Sequence, residues 1–123
     1  MKTPSVEDIS RLESQQNIWF GCVRPDGRPH LSPVWFVWLA DRFYIGADPK
    51  SVKVRNIRQN PQVVLALEDG SHPLICEGMA EIRQLPLDDD VLKAFLQKYE
   101  WDLTQEQQYN LIVEVKPQKW LRW

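Results

Sequence analysis

Residues 21–69 read GCVRPDGRPHLSPVWFVWLADRFYIGADPKSVKVRNIRQNPQVVLALED. Two apolar segments flank residues 24–29, and the Asp26-Gly27 pair between them is a strong signal for a β-hairpin. A third apolar segment follows at residues 42–46, and a basic segment at 48–60 leads to a valine-rich run at 62–68. This order predicts three antiparallel strands, then a helix, then a fourth strand.

The flanking sequence adds two strands and two helices. Strands are predicted at residues 17–23, 30–39, 42–46, 62–68, 74–82 and 109–115. Helices are predicted at 4–15, 49–60 and 88–100, with a helical turn at 102–107. Ser5 and Asp8 have capping-box spacing, Asp48 fits the second helix's N-cap, and Pro33 indicates a sheet edge or a bulge. We expect one mainly β domain, residues 1–123, folded as a six-stranded antiparallel β-barrel with peripheral helices.

Composition excludes several classes of function. The net charge of −2 gives no overall field that attracts nucleic acid. No apolar run approaches the roughly 20 residues that span a bilayer, and the acidic start at residues 1–8 lacks a signal segment, so we expect a cytoplasmic location and no membrane partner. Cys22 and Cys76 lie inside strand patterns and are expected to be buried thiols. Without a cysteine–histidine cluster, no metal site is expected.

The basic helix at residues 49–60 is a candidate phosphate site. It carries four cations and no acid, and the N-terminus of a helix offers free backbone amides. The cations are Lys50, Lys53, Arg55 and Arg58. Lys53 is one turn into the helix, and Ser51 adds a hydroxyl. The alternative is an ordinary solvated basic face, since a carboxylate at Asp48 would compete for the same amides.

Four segments in this order resemble the pyridoxamine 5′-phosphate oxidase-like family of FMN-binding split β-barrels. They are residues 26–36 (DGRPHLSPVWF), 43–46 (FYIG), 53–61 (KVRNIRQNP) with the strand after it, and 77–82 (EGMAEI). The resemblance covers about residues 17–86. It implies a split barrel that forms a homodimer, with FMN in a groove between the two subunits.

The resemblance also implies roles for individual residues. Ser51 and Lys53 would contact the FMN phosphate, and Asn56 would brace the loop. The second strand would face the isoalloxazine ring, and the end of the third strand would lie near the ribityl chain and phosphate. These residues are Ser32, Pro33, Val34, Trp35, Gly46 and Ala47.

The implied activity is that of an FMN-dependent oxidoreductase that passes a hydride between flavin and a small substrate, which the sequence does not identify. Deazaflavin could replace FMN, or the protein could be a non-catalytic flavin-binding or interaction module. No catalytic acid or base is identified. Val52 stands where the true oxidases carry an arginine, and the chain ends without their substrate-binding C-terminal segment, which argues against oxidation of pyridoxamine phosphate.

The C-terminal residues 116–123 alternate cations with large aromatic rings. We expect them to form a tail that reaches the cofactor groove of the partner subunit, where Trp120 would contact the flavin. The alternative is that Trp120 and Trp123 close the open end of their own barrel.

Overall fold

The computed structural model describes residues 4–84 and 88–123. The strands are β1 (Asn17–Val23), β2 (Pro29–Leu39), β3 (Arg42–Ala47), β4 (Gln62–Leu67), β5 (Ile75–Gln84) and β6 (Leu111–Leu121). The helices are α1 (Val6–Ser14), α2 (Val52–Gln59) and α3 (Asp89–Tyr99), and a 3-10 turn covers Leu103–Gln105. No helix in these two ranges has the length and apolar character needed to cross a membrane.

The six strands close into an antiparallel barrel in the order β1-β2-β3-β6-β5-β4. This confirms the predicted fold class. The interior is filled by the inward side chains of all six strands, among them Phe20, Phe36, Phe43 and Leu65. Cys22 and Cys76 are both buried and free, as expected, and burial raises the pKa of the Cys76 thiol to about 12.

The barrel is split between β2 and β3. These strands pair only from Phe36–Ile45 to Leu39–Arg42, although β2 continues back to Pro29 and pairs there with β1. Over Pro29–Trp35, the edge of β2 that faces away from β1 has no neighbouring strand among the described residues. Pro33 lies in this half and therefore costs no ladder hydrogen bond, which confirms the expectation of an edge position.

The start of α2 differs from the prediction. Ser51, not Asp48, is the N-cap, and its hydroxyl accepts the N–H of Val54 at 3.4 Å. Asp48 instead accepts the N–H of Lys50 at 2.8 Å, while its carbonyl accepts the N–H of Ser51. The aspartate thus caps a separate turn before the helix. The capping box of α1 is confirmed, because Ser5 and Asp8 exchange both hydrogen bonds.

Strand β6 is longer than predicted and includes most of the predicted tail. The prediction ended it at residue 115, but β6 continues to Leu121 along β5, with Cys76 opposite Trp120. Two features make Pro117 tolerable in β6. The pairing of β6 with β3 ends at Val115, so the β3-facing edge of β6 is free at Pro117, and a register shift between β5 and β6 falls at Glu77/Gly78. A Cβ at Gly78 would lie 2.7 Å from the Lys116 carbonyl oxygen, so this shift needs a glycine.

Helix α3 packs on the outside of the barrel and forms a second apolar cluster. Val91 and Phe95 of α3 contact Val37 of β2 and Ile112 of β6, with Leu103 of the 3-10 turn. The amphipathic pattern of residues 88–100 predicted the helix; Val91 and Phe95 of its apolar stripe are buried, whereas Leu96 is exposed. This packing places the C-terminal end of α3 beside the split in the barrel.

Candidate functional site

A cavity of about 670 Å³ opens where β2 and β3 separate. One side is formed by β2, the end of β3 and the start of α2. These residues are Pro33, Val34, Trp35, Gly46 and Lys53. All five were predicted as cofactor contacts from the sequence, and the structure brings them together around one space. We call this space the aromatic cavity.

The backbone of β2 is exposed to hydrogen bonding beside this cavity. Because no strand pairs with the outer edge of β2 over Pro29–Trp35 in the described chain, its carbonyls and N–H groups on that edge are available to a ligand. Proline at position 33 has no N–H to offer. A planar heterocycle with donors and acceptors along one edge matches such a strand segment.

Lys53 is the cation that faces the cavity. Lys50, Arg55 and Arg58 are exposed, whereas Lys53 is partly buried and lines the cavity. Burial lowers the pKa of Lys53 from its ordinary 10.5, and Cys22 and Asp48 oppose that shift. Among the described residues no carboxylate forms an ion pair with it. A desolvated ammonium without an anionic partner is well suited to bind a phosphate.

Ser32 has an unusual environment. Its hydroxyl oxygen is buried and has no hydrogen-bond partner in the part of the chain that the structure describes. A buried hydroxyl without a hydrogen bond lowers the free energy of unfolding by about 1–3 kcal/mol relative to a hydrogen-bonded one. Ser32 lies next to Pro33 on the unpaired half of β2, beside the residues that line the aromatic cavity.

The other predicted contacts have different positions. Ser51 caps α2, and Ala47 is fully buried in the core. Asn56 is only 1% exposed and donates its amide to Cys22 Sγ at 3.4 Å, which joins α2 to β1. This is a bracing contact, made to the barrel and not to the cavity.

Trp120 is 4% exposed and packs inside its own barrel against Trp38 and Phe43, with ring centroids 5.6 and 5.9 Å away. The predicted contact of Trp120 with a flavin does not agree with this position. The alternative, in which Trp120 and Trp123 close the end of their own barrel, agrees with the position of Trp120 but not with that of Trp123, which is 82% exposed.

The opposite side of the aromatic cavity was not predicted. It is formed by Tyr99 at the end of α3 and by residues 100–110, and we call residues 99–110 together the strap. The lining residues there are Tyr99, Glu100, Trp101, Glu106 and Tyr109. The Trp35 and Tyr99 rings are stacked at 4.5 Å with an interplanar angle of 8°, and Trp101 meets Trp35 nearly at right angles, at 5.9 Å.

Trp101 packs directly on Gly46. A Cβ at Gly46 would lie 2.5 Å from Trp101 Cη2, closer than any real side chain allows. The glycine at the end of β3 is therefore needed to admit the ring. Because the sequence places Trp101 55 residues after Gly46, this contact has no local signal.

Glu106 holds the strap in shape. Its carboxylate accepts the indole N–H of Trp101 at 2.9 Å and the backbone N–H groups of Tyr109 and Gln108. The bond from Trp101 is the main reason that the pKa of Glu106 is lowered, so the carboxylate is ionised at neutral pH. Gln108 donates to Asp48 at 3.3 Å, which ties the strap to the loop before α2.

Tyr99 anchors the end of α3 to β2. Its hydroxyl accepts the N–H of Phe36 at 2.9 Å and lies 2.6 Å from the carbonyl of Gln16. Lys98 donates to the carbonyls of Phe36 and Leu12 at 2.9 and 3.2 Å. These bonds satisfy the backbone N–H and carbonyl of Phe36, which lies just beyond the last β1–β2 pair, Asn17–Trp35. The aromatic side of the cavity is therefore fixed to the barrel.

A second cavity of about 690 Å³ lies on the outer face of β1, β2, β4 and β5. Its surface is mainly apolar, with Gly21, Leu31, Val64 and Gly78 in its lining. We call it the sheet groove. Within the described residues there is no group of three or more histidine, cysteine, aspartate or glutamate side chains that could hold a metal ion.

Comparisons with known proteins agree with this architecture. The sequence model of the pyridoxamine 5′-phosphate oxidase family matches residues 6–123. An F420 reductase structure is 28% identical, with a TM-score of 0.74 over 91% of this chain and 94% of that one. HutZ, the heme storage protein of Vibrio cholerae, is 18% identical, with a TM-score of 0.78 over 98% and 95% of the two chains.

General stress protein 26 of Bacillus anthracis is 22% identical, with a TM-score of 0.67 over 93% of this chain and 94% of its own. The last two likenesses, at such low identity, concern the fold alone. A comparison of the sequence with curated proteins gave no match. Because the family model covers almost the whole chain, this protein belongs to the pyridoxamine 5′-phosphate oxidase family.

Proposed function

We propose that the protein binds FMN in the aromatic cavity and transfers a hydride between the flavin and a small organic substrate. The observation that carries the proposal is the convergence of the unpaired edge of β2, Gly46 and the desolvated Lys53 on one cavity at the barrel split. Residues predicted from family resemblance to touch the ring and the phosphate thus lie around the same space.

The residues present fit such a cofactor. The cavity volume of about 670 Å³ is within the usual range of roughly 300–1,000 Å³ for small-molecule sites. Lys53 supplies a charge for the phosphate, and the β2 backbone supplies donors and acceptors for a heterocycle. The Ser32 hydroxyl, which has no partner among the described residues, supplies one more donor.

A bound flavin supplies the hydride chemistry through its N5 atom. The protein's residues bind and orient it: Lys53 holds the phosphate, and the backbone at Pro33–Trp35 fixes the edge of the ring system. The aromatic side chains of the strap exclude water. These are contributions of position and electrostatics.

The titratable groups of the strap are poor candidates for proton transfer at neutral pH. Burial raises the pKa of Tyr99 to about 12, and its hydroxyl is engaged with the backbone of Phe36 and Gln16. Glu106 has a lowered pKa and is engaged by three N–H groups. We therefore assign them structural roles and assign no catalytic acid or base.

The proposed active form is a homodimer that pairs through the sheet groove. Leu31 is 63% exposed there, and Trp19 and Val64 are also exposed on the same outer face. Such apolar side chains on neighbouring strands are typical of a surface covered by a partner. A stable dimer should bury about 2,000 Å² in total. In this proposal each subunit completes the other's cofactor groove.

Deazaflavin is the second candidate cofactor. It is favoured by the 28% identity to an F420 reductase over more than nine-tenths of both chains. Both cofactors carry a phosphate and a similar tricyclic ring, so Lys53 and the β2 edge would serve either one.

Mass spectrometry of the small molecule released when the purified protein is denatured tests the proposal. If nothing is released, the protein is titrated with FMN and with F420, and flavin fluorescence and tryptophan quenching are recorded. Release or tight binding of FMN supports the first proposal, and a clear preference for F420 supports the second. Binding of neither cofactor contradicts both proposals and supports the alternative of a non-catalytic interaction module.

A further inference from the structure

The strap side of the aromatic cavity has no role in the proposed binding of the phosphate and of the flavin edge. We propose that it is the substrate subsite, and that it accepts a planar conjugated ring that carries no negative charge. This inference rests on the proposed function, because it assigns the substrate class of the same cavity.

The first argument is the arrangement of aromatic rings. Trp35 remains 46% exposed although Tyr99 is stacked on it, and Tyr109 is 43% exposed. Trp101 lies nearly perpendicular to both, at 79° to Trp35 and 78° to Tyr109. Exposed ring surface meeting at right angles forms a corner in which a flat ligand gains stacking and edge contacts together.

The second argument is rigidity. Trp101 is fixed on one side by Gly46 and on the other by its bond to Glu106. Tyr99 is fixed by the backbone of Phe36. A corner whose rings are already held loses little conformational entropy when a ligand binds, which favours recognition of a rigid, flat shape.

The third argument is charge. The strap contributes two carboxylates to the lining, Glu100 and Glu106, and Lys53, the single cation among the described lining residues, is assigned to the cofactor phosphate. Glu100 makes no hydrogen bond or ion pair through its carboxylate within the described chain and is exposed. An anionic substrate would meet two negative charges without a second cation, whereas a neutral or cationic ring would not be repelled.

The test uses three probes with one ring system and different charge: N-methylacridinium, acridine and acridine-9-carboxylate. Each is titrated at neutral pH into the purified protein, alone and with saturating FMN, and binding is followed by tryptophan quenching. We expect N-methylacridinium and acridine to bind at least tenfold more tightly than the carboxylate. Equal or tighter binding of the carboxylate would overturn the proposal.

Two variants with matched controls locate the binding. Tyr109→Leu removes one exposed ring of the corner and should weaken acridine three- to tenfold, whereas Trp123→Leu removes an exposed ring outside it and should not. Glu100→Gln should weaken N-methylacridinium severalfold without changing acridine, whereas Glu68→Gln, at an exposed site outside the cavity lining, should change neither. If each variant behaves like its control, the subsite is elsewhere.

The two proposals fail separately in these experiments. Absence of FMN and F420 binding contradicts the proposed function, whatever the acridines do. Tight flavin binding together with no charge preference among the probes contradicts the subsite alone.

Discussion

The aromatic cavity and the sheet groove have almost the same volume, about 670 and 690 Å³, but their linings differ. The aromatic cavity combines rings with a lysine, two glutamates and a free strand edge. The sheet groove is lined mainly by small and aliphatic residues of β1, β2, β4 and β5, with His30, Gln62, Glu77 and Gln118 as its polar members. The first lining suits a polar, planar small molecule, and the second suits another protein surface.

The difference originates in the pairing of the strands. Beside the sheet groove β1 is paired with β2 and, over Ile18–Gly21, also with β4, so this part of β1 can bind a partner only through its side chains. At the aromatic cavity β2 has lost one neighbour, so the backbone itself can bind. Cavity volume alone would not distinguish the two cavities, whereas the aromatic rings, Lys53 and the free strand edge at Pro33–Trp35 do.

The largest effect is expected when a charged side chain is introduced into the sheet groove. Val64→Glu should convert the proposed dimer to a monomer, because an unpaired carboxylate buried in an apolar interface costs about 3–5 kcal/mol, roughly a hundred- to several thousandfold in dimer affinity. Light scattering over a range of protein concentrations measures it. Leu96→Glu, at an exposed leucine of α3, is the control and should leave the dimer intact. A wild-type protein that is monomeric at micromolar concentration would contradict the dimer proposal.

The second test removes the cation of the aromatic cavity. Lys53→Ala should weaken FMN binding by about 1.5–3 kcal/mol, ten- to a hundredfold, because a charge-assisted hydrogen bond to the phosphate is lost. Lys50→Ala is the control, since Lys50 is exposed and outside the cavity. Titration followed by flavin fluorescence distinguishes them. Equal affinities for both variants and the wild type would mean that the phosphate lies elsewhere.

The barrel could be predicted from the sequence because its signals are local, and the β-strand side of the aromatic cavity could be predicted from the family resemblance. Turn dipeptides and alternating apolar residues gave β1 at its observed bounds and the other strands to within a few residues, except at the end of β6. That strand extends beyond Val115 because β5 offers a partner for it, which the local pattern around Pro117 does not reveal.

The strap side of the cavity could not be predicted because its contacts join distant parts of the chain. Trp101 is placed by Gly46, and Tyr99 by Phe36, more than fifty residues away in both cases. Tyr99 appeared in the sequence only as one member of an apolar helix stripe. The same limit applies to Trp120, whose burial against Trp38 depends on the closure of the barrel.

The third prediction concerns the contact that shapes the aromatic cavity. Gly46→Ala should destabilise the protein by about 1–3 kcal/mol, because the added methyl group would lie 2.5 Å from the Trp101 ring, which must shift. Chemical denaturation measures the loss. In a Trp101→Leu background the same substitution should cost much less, whereas additive losses would mean that the two residues do not compete for one space.

The fourth prediction compares two serine substitutions that should change the stability of the ligand-free protein in opposite directions. Ser32→Ala should stabilise the ligand-free protein by about 1 kcal/mol, because it removes a buried hydroxyl without a partner in the described chain, and should weaken FMN binding severalfold. Ser51→Ala should destabilise it by about 0.5–2 kcal/mol through loss of the helix cap. Denaturation curves without and with FMN separate the effects. A destabilised Ser32→Ala variant with unchanged FMN affinity would contradict a ligand role for this hydroxyl.

The last prediction concerns Lys98, the lysine that holds α3 against β2. Burial lowers the pKa of Lys98 to about 8 from its ordinary 10.5, and Glu13 opposes that shift. Between these pH values Lys98 is deprotonated in the folded protein and protonated in the unfolded chain, so its contribution to the stability of the wild type should rise with pH. In Lys98→Met this rise should be absent. The free energy of unfolding of both proteins is compared from pH 7 to pH 10.5, in the range set by the two pKa values. Groups that titrate in both proteins cancel when the value for Lys98→Met is subtracted from that for the wild type. If this difference stays constant or falls with pH, Lys98 is not held in a desolvated position.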